Sequence, residues 1–469
     1  MEDTYVPPLD ENQESFDPQS SPFPVSNQNA FRPNVLQYYR SSNDRSSQDE
    51  YVPQAQFHPT WNLQPKRILA GRRRRAKRFA ILAISDALTD IIANVDDATL
   101  DGLGLVKGGS FPVTEETNAK IADFVNNHDM LKSPGGSPTN TIFGASNLGL
   151  RCAYIGCVGN DENGYDYINA LRANDIDTYV SIKKGPSAVC YTFITPDGQR
   201  SFGLDFGVTK QLEPYEILHS LIEESYLLHF SAYEFRGDVP TTAATKHALK
   251  IARESGTRIS IDMGDSWLID QTRDSLMELF NEGVDIIFAN ECEADAFCGV
   301  KRDENGKYIP QQKSPGSSSV PPLQSPASEA VLPPIAQSPT PEFAMGTLLS
   351  KPIVTQPDPL SHAARVSSEI PPEWAQFLKY TQILVVKLGA NGSLAMTKNK
   401  MFIVPSYKVD NAFDTNGAGD NFQAGFIYGL YRGLSLPMSL KCGNFIASKI
   451  INQRGAQSKV QISGIEYLL

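Results

Sequence analysis

The stretch Asp414-Thr415-Asn416-Gly417-Ala418-Gly419-Asp420 runs straight into the helical pattern NFQAGFIYGLYRG at 421–433, and it decides the reading of this chain. Glycine-rich backbone entering a helix presents free N–H groups, and the helix dipole favours an anion there. Asp420, at the helix entrance, is itself an anion and does not hold phosphate. It is placed to accept a proton from a hydroxyl held beside the anion. An anion hole with an adjacent base is what phosphoryl transfer to an alcohol requires. The structural alternative is an Asp N-cap behind a glycine turn.

Working outward, apolar runs alternate with amphipathic ones. RFAILAIS (78–85) and residues 153–158, 227–231, 259–263, 286–289 and 383–387 read as strands. Residues 241–254 and 274–281 read as helices. That alternation predicts an α/β fold with a mainly parallel sheet covered on both faces. Residues 190–195 and 200–204 flank the turn PDGQ as a hairpin does, and predict a smaller β element projecting from the sheet.

Two stretches break the rhythm. Residues 1–65 are rich in Ser, Gln and Pro and hold nine acidic against three basic residues, a disordered acidic tail by composition. Residues 310–372 hold 14 of the 32 prolines with almost no periodic apolar pattern. A disordered Pro/Ser-rich insertion, looped out from the surface, is the expectation. The folded part is then 79–309 and 373–469. Between tail and fold lies the basic linker 66–78, KRILAGRRRRAKR, with eight of the 42 basic residues. It reads equally as a nuclear-import signal, an anion-binding patch or a solvated linker. Tail and insertion are candidate sites for protein partners.

Composition excludes several classes. A net charge of -11 and a pI near 5.2 argue against a nucleic-acid partner. The six cysteines form no C-x-x-C pair, so reduced thiols in the cytoplasm are expected, with nuclear import left to 66–78. No apolar run reaches the roughly 18–20 residues of a membrane span. There is no G-x-x-x-x-G-K-[ST], so no P-loop, and 102–104 lacks the third glycine of a dinucleotide fingerprint.

At this point the residues resemble a known family. DTNGAGD matches the C-terminal signature D-T-x-G-A-G-D of the ribokinase-like, or PfkB, carbohydrate and nucleoside kinases. GGSPTN (135–140) looks like the N-terminal glycine signature. Asn290-Glu291-Cys292-Glu293 matches N-x-x-E, and Gly389-Ala390-Asn391-Gly392 resembles the turn beside the nucleotide. The motifs stand in the family's order. The phrases DALTDIIANVDDATL, GLVKGG and TPDGQRSF look most like a bacterial adenosine kinase-like branch.

The resemblance implies a three-layer α/β/α domain with a small β lid, and an ATP- and Mg²⁺-dependent kinase acting on a primary hydroxyl of a nucleoside or sugar. It implies Asp420 as general base, with Asn416, Gly417, Ala418 and Gly419 as the hole for the moving phosphoryl group. Asp90, at the end of the first strand, would bind acceptor hydroxyls with Asp86, Gly135, Gly136 and Asn140. Thr415, Lys387, Gly389 and Gly392 would line the nucleotide. Asn290 and Glu293 would orient Mg²⁺ through water, as suits a hard ion; the same four residues also have the form of a helix capping box. A monovalent cation near Asp414 is left open, as is monomer against homodimer.

One departure stands out. The family's first strand usually ends in G-N-x-x-x-D; here it reads Ser85-Asp86-Ala87-Leu88-Thr89-Asp90. An amide donates and accepts, whereas a carboxylate only accepts and adds charge. Adenosine is therefore in doubt as the acceptor, and reverting Asp86 to Asn is expected to raise activity toward it. The same departure keeps a second reading alive, a weak or inactive scaffold of the same fold.

Overall fold

The run at 78–85 forms β1 (Phe79–Ile84), buried along its whole length. In chain order there follow β2 (Leu88–Asn94), α1 (Asp97–Gly102), β3 (Ser110–Pro112), α2 (Glu115–Asn126), β4 (Leu131–Pro134) and α3 (Ser137–Asn147). Then come β5 (Cys152–Gly159), α4 (Glu162–Ala173), β6 (Asp177–Lys183), β7 (Ala188–Ile194), β8 (Arg200–Asp205), α5 (His219–Glu223) and β9 (Ser225–Ser231). The chain continues through α6 (Pro240–Ser255), β10 (Arg258–Asp262), α7 (Ser266–Glu282), β11 (Val284–Asn290), α8 (Glu291–Cys298), β12 (Lys301–Arg302) and β13 (Tyr308–Ile309). Last are β14 (Thr381–Lys387), β15 (Ser393–Met396), β16 (Met401–Val404), α9 (Ala418–Tyr431) and α10 (Leu436–Ile450). This computed structural model describes residues 76–128, 130–197, 199–303, 308–309, 370–410, 412–453, 455–457 and 465. The acidic tail, most of the basic linker and nearly all of 310–372 lie outside the described residues.

Nine strands form one sheet in the order β16-β15-β14-β11-β10-β9-β1-β5-β6. The seven from β14 to β6 pair in parallel; β15 and β16 close one edge antiparallel. Side chains along each strand alternate between two cores. From β1, Leu82 and Ile84 join one packed by α6, α7 and α8. Ile81 and Ala83 join the other, packed by α3, α9 and α10. These are the three layers the sequence predicts.

The projecting element is a five-stranded sheet, β3-β8-β7-β2-β4, over a small core of Ile91, Leu100, Ile121, Val189, Tyr191 and Phe193. The 190–204 hairpin is its β7–β8 pair. Here the sequence reading needs correction. Asp90 does not end the first strand; it lies inside β2, a separate strand of the lid sheet, facing Cys190 in the ladder. A break over 85–87 redirects the chain from one sheet to the other. All six cysteines are free, and among the described residues no helix is long and apolar enough to cross a membrane.

Candidate active site

The order in which strands are added to the parallel sheet reverses between β9 and β1, the place where open α/β sheets bind ligands, beyond the carboxyl ends of their strands. Asp262, Asn290 and Lys387 are the last residues of β10, β11 and β14, and Asp86 follows β1. The start of α9 meets them. Its N-cap is Gly417 at φ 69°, so Asp420 is not the cap but lies in the first turn. A Cβ on Gly417 would come within 2.6 Å of Ala456, which excludes other residues by space as well as by φ.

Asp420 accepts from Ser137 Oγ at 2.8 Å and from Asn140 Nδ2 at 2.9 Å. Burial pushes its carboxyl up to about 6; the Asp262 charge adds to the rise, while Asn140, Lys387 and Ser137 oppose it. Ser137 Oγ is also 2.8 Å from Asp262 Oδ2, and Lys387 Nζ is 3.1 Å from Asp262 Oδ1. Burial works hardest against the Asp262 charge, but Lys387, Gln423, Ser137 and His229 together outweigh it and hold that carboxyl below its usual value. Ser137 owns a single hydroxyl hydrogen. The chain Asp420–Ser137–Asp262 is fully bonded only when one of the two carboxyls carries a proton, and Asp420, whose carboxyl is the raised one, takes it more readily.

The N–H of Asn416 donates to Asp414 Oδ1 at 2.8 Å, and that of Ala418 to Thr415 O at 3.2 Å. Those two are engaged within the loop. Gly417, Gly419 and Asp420 follow with N–H groups that donate to no described residue. The unengaged N–H groups are therefore those of three residues, where the sequence reading named four for an anion hole, and they are shifted one residue along. Lys387 lies against them, since a Cβ on Gly419 would be 3.3 Å from Lys387 Nζ.

On the other side Gly135 presses against Asp90, whose carboxyl would meet a Cβ at 2.6 Å. A Cβ on Gly136 would meet Asp86 O at 2.8 Å and Ser85 Oγ at 2.9 Å. Burial pushes Asp90 up to about 7; Cys190 lowers it and the Asp420 charge raises it. Asn140 keeps a buried Oδ1 with no partner. Asp86 is not an isolated charge, for Arg236 grips both its oxygens.

Asn290 and Glu293 form a reciprocal capping box at the start of α8, with Asn290 N and Nδ2 donating to the two carboxyl oxygens at 2.7 and 2.6 Å. Burial pushes Glu293 up to about 7. Each carboxyl oxygen accepts one of these bonds and keeps a lone pair, with which the pair could hold a metal-bound water. Among the described residues no three His, Cys, Asp or Glu form a metal-holding group. Gly389 and Gly392 form the β14–β15 turn. Gly392 at φ 97° is fixed by packing, a Cβ there lying 2.1 Å from Val404 O, whereas Gly389 opens on free space. Asp414 accepts from Gly455 N at 2.9 Å and pairs with Arg200, which reaches over from β8 of the lid sheet.

The sequence reading missed Ser137, Arg200, Arg236 and Asp262 as members of the site. Asp262 had a usable signal, a carboxylate closing a buried parallel strand. Ser137 stood inside the glycine signature and Arg200 inside TPDGQRSF.

The model of the pfkB family of carbohydrate kinases matches residues 112–320 and 369–462. A probable fructokinase-2 of Arabidopsis thaliana is 29% identical over 300 residues, 62% of this chain and 70% of that protein. Among solved structures, the adenosine kinase from Sinorhizobium meliloti superposes with a TM-score of 0.61 at 24% identity, over 82% of this chain and 97% of that one. A probable sugar kinase from Rhizobium etli gives 0.63 at 23% identity, over 83% and 98%. Those two likenesses bear on the fold, which is ribokinase-like. With the family model covering well over half of the residues, the chain belongs to the pfkB family of carbohydrate kinases and is a phosphotransferase with an alcohol group as acceptor.

Proposed function

We propose that this kinase transfers the γ-phosphoryl group of ATP to a hydroxyl of a nucleoside or free sugar, with Asp420 as general base. The observation that carries this is Asp420 beside the unengaged N–H groups of Gly417 and Gly419, with a raised pKa and a hydroxyl relay at hand. Asp420 takes the proton as the acceptor oxygen attacks. Gly417, Gly419 and the Lys387 ammonium face the charge that develops on the transferred group. Asn290 and Glu293 would hold Mg²⁺ through water, and the ion when bound neutralises phosphate charge. Gly389 and Thr415 would line the nucleotide; Gly392 supports the β14–β15 turn that carries Gly389. Asp90, Asn140 and the Gly135–Gly136 backbone form the acceptor wall. The relatives' names span a fructokinase and an adenosine kinase, so the acceptor is assayed across both classes. ATP consumption in the presence of neutral nucleosides and ketoses tests the reading. No turnover with any of them would count against it.

Two further results are expected. Asp420 must be ionised to act, so kcat should fall below about pH 6 and level off above it. A profile with no acid limb between pH 5 and 7 speaks against Asp420 as the base. Asp90→Ala should raise the acceptor KM roughly 10- to 100-fold, the worth of a hydrogen bond to a charged group, and leave the ATP KM unchanged. Equal loss for both ligands would show that the acceptor wall lies elsewhere.

A further inference from the structure

Arg236 follows β9 on a short helical turn and is nearly enclosed, its side chain 13% exposed. Its Nη1 and Nη2 grip Asp86 end-on, with Nη2 at 3.0 Å from Oδ1, and Nη1 also donates to Tyr233 O at 2.7 Å. The guanidinium carbon lies over the Phe206 ring, Cζ 3.7 Å from the ring centroid. Three of its five N–H groups are thereby used. Nε is buried and has no partner, and the second hydrogen on Nη2 is accepted by no described residue. Those two lie on one edge of the guanidinium and form a two-donor fork. Buried N–H groups are rarely left without a partner in folded proteins. A fork held by an ion pair and a ring, with no acceptor among the described residues, is free to donate to a ligand.

Asp86 links the fork to the proposed acceptor wall. Asp86 O lies beside Gly136, and Gly135 lies against Asp90. We propose that Asp86 and Arg236 together form the acceptor-specificity element, recognising adjacent oxygens of an uncharged polyol, with the carboxylate accepting and the guanidinium donating. The pair does with two residues what one amide would do. This rests on the kinase reading above and narrows its substrate class. The balance of charge disfavours an acidic acceptor. Arg236 is matched by Asp86, and Lys387 by Asp262. Glu234, whose carboxyl accepts from Asp86 N, is pushed by burial up to about 8 and adds no cation. Asp90 and Asp420 bring only negative charge, so a sugar acid would enter without a partner.

The proposal also changes the expectation for Asp86→Asn. That single change strands the Arg236 cation in a buried position, and should lower activity toward every acceptor instead of restoring one.

Arg236→Lys keeps the cation and loses the fork. With the full chain, steady-state kinetics over neutral nucleosides, ketoses and sugar acids should show turnover confined to neutral acceptors. Arg236→Lys should raise the best acceptor's KM roughly 10- to 100-fold. Its ATP KM should not change, and kcat should stay within about threefold. An unchanged acceptor KM, or a wild-type preference for sugar acids, overturns the proposal and leaves the kinase reading standing. Thermal stabilisation by the same acceptors without nucleotide is the second arm. If nothing were turned over, the kinase reading would fail, and equal stabilisation of wild type and Arg236→Lys would separately overturn this inference.

Discussion

Asp420→Asn lowers kcat by roughly 10²–10⁴, the span over which a positioned general base acts. The fold should survive the change. The amide oxygen can still accept from Asn140 Nδ2, and the amide N–H₂ can donate to Ser137 Oγ, which then donates to Asp262. The anion hole is backbone and stays in place, so the ATP KM should move little. What is lost is the capacity to take a proton. Residual activity should therefore also lose its acid limb near pH 6. Turnover within threefold of wild type, with the limb intact, would move the base to another residue.

Much of this architecture is legible in local pattern. β1, β10, β11 and β14 are apolar runs because both faces of a parallel sheet are covered, and such runs stand out without knowledge of their neighbours. The glycine turn into α9 is equally local. Asp90 was placed on the wrong strand because the break at 85–87 contains neither Gly nor Pro, the usual punctuation. The partners of the site were hidden for a different reason. Ser137 and Asp420 are 283 residues apart, Arg200 and Asp414 are 214, and Arg236 and Asp86 are 150. Such pairs leave no periodicity in the chain. Asp86 looked like an unmatched departure because its counter-charge comes from beyond the lid strands.

Lys387→Met should cost about 3–5 kcal/mol of stability, the range for removing one partner from a buried ion pair. Lys387 is enclosed, its side chain 16% exposed, and Asp262 is more so at 4%. Burial works against the ammonium, yet the charges of Asp262, Glu293 and Asp420 outweigh it and hold its pKa above the usual value. Methionine fills similar volume but leaves three buried carboxyls facing one another. The chain then stays folded only by protonating some of them or by admitting water. The melting temperature should fall by roughly 5–10 °C. The same loss reaches catalysis, because Lys387 is one of the groups that keeps Asp420 from rising further. Any remaining activity should show its acid limb displaced to higher pH. Lys387→Met combined with Asp262→Asn removes both charges and should recover most of the stability, without recovering the rate, since the ammonium beside Gly419 is still absent. A single variant within about 1 kcal/mol of wild type would mean that Asp262 and Glu293 do not depend on Lys387 for their charge.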